Sequence, residues 1–290
     1  TMIYASYTRG FKPGGSNLTY GYTTAEDAAM GNAIAPPLVL PVFDSESITA
    51  YEAGLKTDLI DGRLRANVAA FFYEYEDLQF QATDPDVFRG GVANIPEAEM
   101  KGLELELIGI ITDSITFDIK AAHLDSEVTK NFDTLDNVKA NSTIPAPPWC
   151  SPVGYLGFCY EDLRYQNREN IKGNELAKSP ELTASASLQY QTNLSSGNSL
   201  FGSIDYVHRG EFQQRVINHP MIDAVDDYNV VNLTAGIDFA NGAWGFDLMI
   251  FNATDEDGIN SAMTDVFGVN ATGLEFIPPR QIMGRVSYTF

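Results

Sequence analysis

The sequence predicts an all-β protein, an antiparallel transmembrane β-barrel fragment of about ten strands. Three observations lead to this prediction. Apolar and polar residues alternate with a period of two in segments of roughly ten residues. Tight turns alternate with long loops along the chain. Charged residues of the strands fall on the side opposite the apolar stripe.

The alternation is clearest in residues 182–190, where even positions are apolar and odd positions are polar. Applied along the chain, the same pattern predicts strands near residues 1–9, 48–58, 64–80, 99–110, 113–125, 181–192, 199–210, 228–239, 243–252 and 281–290. In 64–80 the assignment of faces stays open, because Asn67 and Glu74 fall on opposite sides. Either one of them lies near a rim or a bulge intervenes.

The connections favour a membrane barrel over a soluble sandwich. Short turns follow the second, fourth, sixth and eighth predicted strands, and long loops follow the others. A β-sandwich usually mixes its loops between both ends. A membrane barrel places short turns on the periplasmic side and long loops outside. We therefore expect the bacterial outer membrane as the location, with its lipid and lipopolysaccharide as surroundings.

The charged strand residues predict which face meets lipid. A Lys or Arg that faces lipid at the bilayer midplane costs about 2–4 kcal/mol, whereas a hydrated lumen accommodates charge easily. The residues predicted to face the lumen are Glu52, Glu104, Glu106, Asp118 and Arg285, together with Ser185. The residues predicted to face lipid are Leu103, Leu105, Ala184, Leu188, Val286 and Tyr288.

Composition limits the possible partners. The chain has 290 residues and a formal net charge of −21, which argues against nucleic acid as a partner because like charges repel. The chain starts in a strand-like composition with neither a basic region nor an apolar signal core. We expect either that the true N-terminus is missing or that the protein has no signal.

Several short sequence segments occur in an order and at spacings that are typical of one family. They are YASYTRGFKPG at 4–14, YEAGLK at 51–56, AFFYEYEDLQ at 70–79, KGLELE at 101–106, FNATD at 251–255, PR at 279–280 and VSYTF at 286–290. In these words, which cover nearly the whole chain, the sequence resembles the C-terminal barrel half of TonB-dependent receptors. No single word is specific, and the match rests on their order and coverage.

This resemblance implies a barrel of about twenty-two strands that is plugged by an N-terminal domain. Residues 1–290 would supply the C-terminal part, without the plug and the earlier strands. The family imports ferric siderophores, cobalamin, haem or oligosaccharides, driven by the TonB complex through the missing plug region. We name a ferric siderophore first as the small-molecule ligand and expect no cofactor. The terminal aromatic, here Phe290, resembles the signal read by the barrel-assembly machinery.

Other functions remain open at this point. A passive porin and a small ten-stranded outer-membrane enzyme, such as a protease, are the alternatives. The three histidines are scattered, and no arrangement of nucleophile, base and acid emerges, so we expect neither catalytic residues nor a metal site.

Two features of the long loops bear on ligand binding. Aromatic side chains there could stack on a ligand or pack on each other, and the candidates are Tyr20, Tyr22, Trp149 and Tyr155. Cys150 and Cys159 are close in sequence, and an oxidising periplasm predicts a disulfide between them.

The ends of the chain predict an open sheet. A strand in hydrocarbon needs partners for its backbone groups, so a complete barrel has no edges. We expect residues 3–9 and 282–289 to pair with strands that lie outside this chain rather than with each other.

Overall fold

The computed structural model describes residues 1–17, 39–84, 89–136, 168–240, 242–264 and 272–289. All regular elements in these ranges are β-strands. No helix of the described residues is long and apolar enough to cross a bilayer.

Ten strands form one antiparallel sheet in which each strand pairs with its neighbours in the chain order. They are β1 (Met2–Lys12), β2 (Glu46–Leu59), β3 (Leu64–Asp84), β4 (Arg89–Thr112), β5 (Ile115–Val128), β6 (Leu182–Asn193), β7 (Ser199–Arg209), β8 (Tyr228–Asp238), β9 (Trp244–Phe251) and β10 (Gln281–Tyr288). The ten predicted strands are thus confirmed, with ends that differ by a few residues except in β3 and β4.

The long connection predicted after the third strand is wrong. β3 and β4 continue as a paired hairpin up to Asp84↔Arg89, so only residues 85–88 connect them. The reason is a change of face that breaks the alternation. Asp77 has φ 55°, and pairing resumes beyond it at Leu78↔Ile95. Both of these apolar residues then join the same cluster as Tyr75, which an unbroken alternation would forbid.

The short turns lie together at one end of the sheet, called here the turn end. In the turn after β2, Ile60 and Asp61 have φ near 54° and 53°, and Gly62 has φ 83°. The register of β4 against β5 shifts between Ile110 and Thr112. The Arg63 guanidinium donates to the carbonyl oxygens of Ile110 and Ile111 at 3.3 and 3.2 Å, which fixes this bulge to the turn.

The opposite, loop end carries the long connections. Four two-stranded ribbons there pair Gly15–Ser16 with Val42–Phe43, Asp133–Leu135 with Arg168–Asn170, Phe212–Gln213 with Ala224–Val225, and Ile259–Thr264 with Thr272–Phe276. The sequence pattern did not predict these ribbons. In three of them the strands have only two or three residues, which are too few to show a period.

One face of the ten-stranded sheet is apolar and unburied. Leu103 and Val286 lie on it with 56% and 65% of their surface exposed. Near the loop end its aromatic rings form a row, with Tyr7 and Tyr51 centroids 5.4 Å apart and Phe72 6.4 Å further on. Near the turn end Trp244 and Tyr288 make a similar contact at 4.7 Å. An exposed apolar band between two aromatic rows is the pattern of a barrel surface in lipid.

The sheet is open, as predicted. β1 and β10 are its two ends, and no backbone ladder joins them within the described residues. The uncertainty about Asn67 and Glu74 is also resolved. No bulge lies between them in β3, and Glu74 pairs with Thr49 and Glu99 in the row beyond the aromatic residues, toward the loop end.

Candidate functional site

Between the two aromatic rows, the strand carboxylates lie on the second face of the sheet, called here the polar face. Cross-strand pairing puts Glu104 beside Ala122, Glu106 beside Lys120 and Asp247 beside Arg285. The residues predicted for the lumen all lie on this face: Glu52, Glu104, Glu106, Asp118 and Arg285. The sequence did not single out their partners Lys120 and Asp247, since periodicity gives the face of a side chain but not its contacts.

Most charges of the polar face have a close partner. The Asn67 amide donates to Glu106 at 2.6 Å, and Lys120 Nζ lies 3.3 Å from Asp118 and 3.7 Å from Glu106. Arg285 donates to the Asp247 carboxylate, whose side chain is only 6% exposed. These pairs let a wall of charged residues persist without mutual repulsion.

Further along the same face, hydroxyl groups take the place of cations. Ser187 and Ser203 donate to the two carboxylate oxygens of Asp205 at 2.6 and 2.8 Å. The Tyr4 hydroxyl donates to Glu52 at 2.5 Å. Both carboxylates are thereby held close to the polar face of the sheet.

Aromatic rings of the polar face lie close to glycines on the neighbouring strand. Phe71 covers Gly102 and Phe201 covers Gly236, and both pairs are directly opposite in register. A Cβ at Gly236 would lie 2.2 Å from Phe201 Cζ. Each glycine therefore leaves room for a ring that would otherwise project from the sheet.

At the loop end, the long connections fold over the polar face. A buried apolar cluster joins β4, the end of β5 and two loops, with Ile95, Val128, Ile171, Leu176 and Val216 between 0% and 8% exposed. The backbone continues the contact, since Val128 N–H donates to the Asn174 carbonyl at 2.9 Å. The segments 171–178 and 210–227 are thus packed onto the sheet as one wall.

Two asparagines connect these two segments. Asn174 Nδ2 donates to the carbonyl oxygens of Val216 and Ile217 at 3.0 and 2.8 Å. Asn218 Oδ1 accepts the Glu175 N–H at 2.7 Å. Such side-chain bonds satisfy loop backbone groups that no ladder reaches.

The carboxyl group of Glu175 sits in an acidic neighbourhood on this wall. Burial raises the pKa of Glu175, and the carboxylates of Glu211, Glu181 and Asp125 raise it further. Its negative charge is therefore less favourable in the folded protein than in water.

A buried ion pair holds Arg215 in the segment 210–227. Arg215 Nε donates to Asp223 Oδ1 at 2.6 Å, and its Nη2 lies 3.7 Å from Asp136 Oδ1. Both aspartate side chains are fully buried. Removing one partner would leave a buried charge unpaired, at a cost of about 3–5 kcal/mol.

Between this wall and the ends of β1 to β4 lies a cavity of about 630 Å³. Its apolar lining includes Tyr75, Phe80 and Met100, and its amide and hydroxyl groups come mainly from glutamines and threonines. Its charged lining consists of Lys12, Glu46, Lys178 and Arg215. We call it the loop-end cavity. Residues of β1 to β4 and the irregular segments 176–179 and 214–217 line it together, so no single periodic pattern in the sequence pointed to it.

The aromatic candidates Tyr20, Tyr22, Trp149 and Tyr155, the cysteines Cys150 and Cys159, and the terminal Phe290 fall outside the described residues. Their proposed roles therefore stay predictions. Within the described ranges no three metal-ligating side chains converge on one point.

The last long loop is fastened at its base. Asn252, 3% exposed with φ 49°, donates from Nδ2 to the carbonyl oxygens of Glu256 and Pro278 at 2.9 and 3.1 Å. The Asp255 carboxylate accepts the Arg280 N–H at 2.9 Å and lies 3.4 Å from its guanidinium. We call this group the loop clasp, and it explains two of the sequence words, at 251–255 and 279–280.

These features define a class of protein: an antiparallel β-barrel segment with one apolar face, one polar face and interlocked loops at one end. The family model for the TonB-dependent receptor-like β-barrel matches residues 1–253. The chain therefore belongs to the TonB-dependent receptor family.

Solved structures and curated proteins show the same relationship. The ferric yersiniabactin uptake receptor FyuA from Yersinia pestis aligns with 99% of this chain at a TM-score of 0.67 and 16% identity, over 35% of its own length. The siderophore receptor PiuA from Acinetobacter baumannii aligns with 98% at a TM-score of 0.64 and 20% identity, over 33% of its length. At such identities the similarity shows the fold alone. The chain spans about a third of the length of each of these two receptors.

In sequence, a protein of Acinetobacter baumannii described as a probable TonB-dependent siderophore receptor, PiuA, is 33% identical over 129 residues, which is 44% of this chain and 16% of that protein. The metal-pseudopaline receptor CntO of Pseudomonas aeruginosa is 29% identical over 130 residues, or 44% of this chain and 15% of that protein. The family and fold are those of transport receptors rather than enzymes.

Proposed function

We propose that this chain is the C-terminal part of an outer-membrane receptor that imports a ferric siderophore, driven by the TonB complex. The loop-end cavity carries the proposal. Its volume of about 630 Å³ lies within the usual range of small-molecule sites, about 300–1,000 Å³. It combines aromatic and apolar side chains with a few polar ones, which is the composition of such sites.

The position of the cavity supports a role in uptake. It lies over the polar face, at the end where the long loops meet. In the complete receptor we propose that this end faces outward, that the polar face lines the lumen and that the apolar face contacts lipid and lipopolysaccharide. A ligand bound there would be held at the outer opening of the barrel.

The remaining partners follow from the family. We propose that a plug and the earlier strands lie in the part of the receptor before Thr1, and that the TonB complex acts through that part. We propose that the barrel-assembly machinery reads the last strand with its terminal Phe290.

The two alternatives differ in what they require. A ten-stranded enzyme needs a closed barrel, whereas β1 and β10 are not paired within the described residues. A passive porin would admit its solute without TonB.

Uptake of iron tests the proposal. Cells that lack the full-length receptor would carry either wild-type protein, Ala177→Trp, which fills the cavity, or Ser196→Trp at the exposed turn end as a control. We expect Ala177→Trp to abolish uptake of radiolabelled iron from ferric siderophores, with Ser196→Trp at the wild-type rate. Loss of TonB should abolish uptake in every strain. Uptake that persists without TonB would favour a porin instead.

A further inference from the structure

The charge of the loop-end cavity is opposite to that of the chain. The chain has 39 acidic and 18 basic residues. The charged residues that line the cavity are three basic ones, Lys12, Lys178 and Arg215, and one acidic one, Glu46. A concave site lined by one sign of charge attracts the opposite sign. The lining therefore has an excess of basic side chains in a strongly acidic protein, and a basic side chain without a carboxylate partner is the one that can attract an anion.

Two of these four charges are already engaged. Arg215 is held by Asp223, and Glu46 accepts the Gln79 N–H at 2.8 Å. Lys12 stands directly opposite Glu46 in the β1–β2 register. Within the part of the chain that the structure describes, neither Lys12 nor Lys178 makes an ion pair, but only Lys12 has a carboxylate opposite it in a strand pair. Lys178 is thus the cation left to meet a ligand.

The backbone of Lys178 is fixed in a conformation that residues with a side chain rarely adopt. Its φ is 59°, and its N–H donates to the Gln213 carbonyl at 2.7 Å. Strained backbone of this kind persists where the surroundings hold it, and it is commonest at ligand and active sites. The neighbours Ala177 and Ser179 also line the cavity, so the strain lies in the wall itself.

A second side chain of the cavity wall has an unused polar atom. Gln214 is 5% exposed, and its Nε2 donates to the Ile222 carbonyl and to Thr264 Oγ1 at 2.6 and 2.7 Å. Its Oε1 is buried and has no hydrogen-bond partner among the residues that the structure describes. A buried acceptor of this kind favours a ligand that also carries an O–H or N–H donor.

We propose that the loop-end cavity selects anionic, oxygen-rich ferric complexes and that Lys178 is the specificity-determining residue, its ammonium contacting a negatively charged ligand oxygen. This inference rests on the proposed function and names the chemical class of its substrate. Gln214 would accept a hydrogen bond from a hydroxyl or amide of the same ligand.

The test compares ferric complexes of different charge on the purified full-length receptor. The probes are ferric citrate and a ferric tricatecholate as anions, a neutral ferric trihydroxamate and a cationic ferrioxamine. The variants are Lys178→Gln, which removes the charge but keeps an unbranched polar side chain, and Lys178→Arg, which keeps the charge. Lys172→Gln is the matched control, because Lys172 is an exposed lysine in the same segment that does not line the cavity.

We expect an anionic complex to bind most tightly. Lys178→Gln should weaken its binding on the order of ten-fold, as expected for loss of a hydrogen bond to a charged group, whereas Lys178→Arg and Lys172→Gln should change it less than about two-fold. Preference for the neutral or cationic complex would overturn the inference while leaving the proposed function intact. So would an equal loss for all complexes in Lys178→Gln. Binding of no complex by a folded receptor would overturn both.

Discussion

Replacing Gly102 by alanine probes how closely the barrel wall is packed. Gly102 lies in the middle of β4, opposite Phe71 on β3 and Leu124 on β5. A Cβ there would lie 2.3 Å from the carbonyl oxygen of His123 and 2.5 Å from Phe71 Cζ. The ring could turn away, but the carbonyl belongs to the neighbouring strand. The strands would have to separate, and overpacking of this kind costs about 1–3 kcal/mol.

Gly284→Ala is the matched control, because a Cβ at Gly284 meets no atom of the described chain within 4 Å. Both substitutions restrict the unfolded chain equally, so their difference isolates the clash. The assay is urea unfolding of the full-length receptor in lipid vesicles, read from heat-modifiable migration on gels. We expect Gly102→Ala to unfold at clearly lower urea and Gly284→Ala to stay within about 0.5 kcal/mol of wild type. Equal midpoints for the two variants would refute the packing argument.

Three further predictions concern charge, orientation and the cysteines. Because the pKa of Glu175 is raised in the folded protein, its ionised form lowers stability as the pH rises past the ordinary glutamate pKa. Glu175→Gln should therefore raise the urea midpoint at pH 7, and this gain should vanish in acid; a gain that is independent of pH would contradict it. With cysteine introduced singly, a lipid-phase thiol label should modify position 103 and spare position 104, whereas the reverse pattern would invert the faces. Mass spectrometry without reductant should show a Cys150–Cys159 disulfide, and two free thiols would rule it out.

The strands were predictable because each obeys one local rule. In β6 and β10 the alternation alone gave the bounds to within about two residues. The rule failed in the β3–β4 hairpin, where Asp77 takes a left-handed conformation and the faces exchange. A single φ angle is decided by contacts such as the Asn94 side-chain bond to the Asp77 carbonyl, at 2.7 Å. Such contacts join residues far apart in the chain and leave no period in the sequence.

The candidate site was harder to predict from the sequence for the same reason. The polar face followed from alternation, so Glu104 and Glu106 could be placed, but their neighbours could not. The loop-end cavity depends on how segments more than 40 residues apart meet, as Asn174 and Val216 do. Lys178 has no sequence signal that distinguishes it from other loop lysines.

The loop clasp makes the positions of the barrel strands independent of the length of the last loop. Asn252, Asp255 and Arg280 hold both ends of the last loop at fixed positions, whatever lies between them. Closing a longer loop between fixed ends costs only about 0.6 kcal/mol for each doubling of its length. Insertions, deletions or an exchanged loop between these anchors would thus leave β9 and β10 undisturbed. The clasp makes the length of this loop adjustable, so that evolution or an engineer can alter the loop without rebuilding the strands of the barrel.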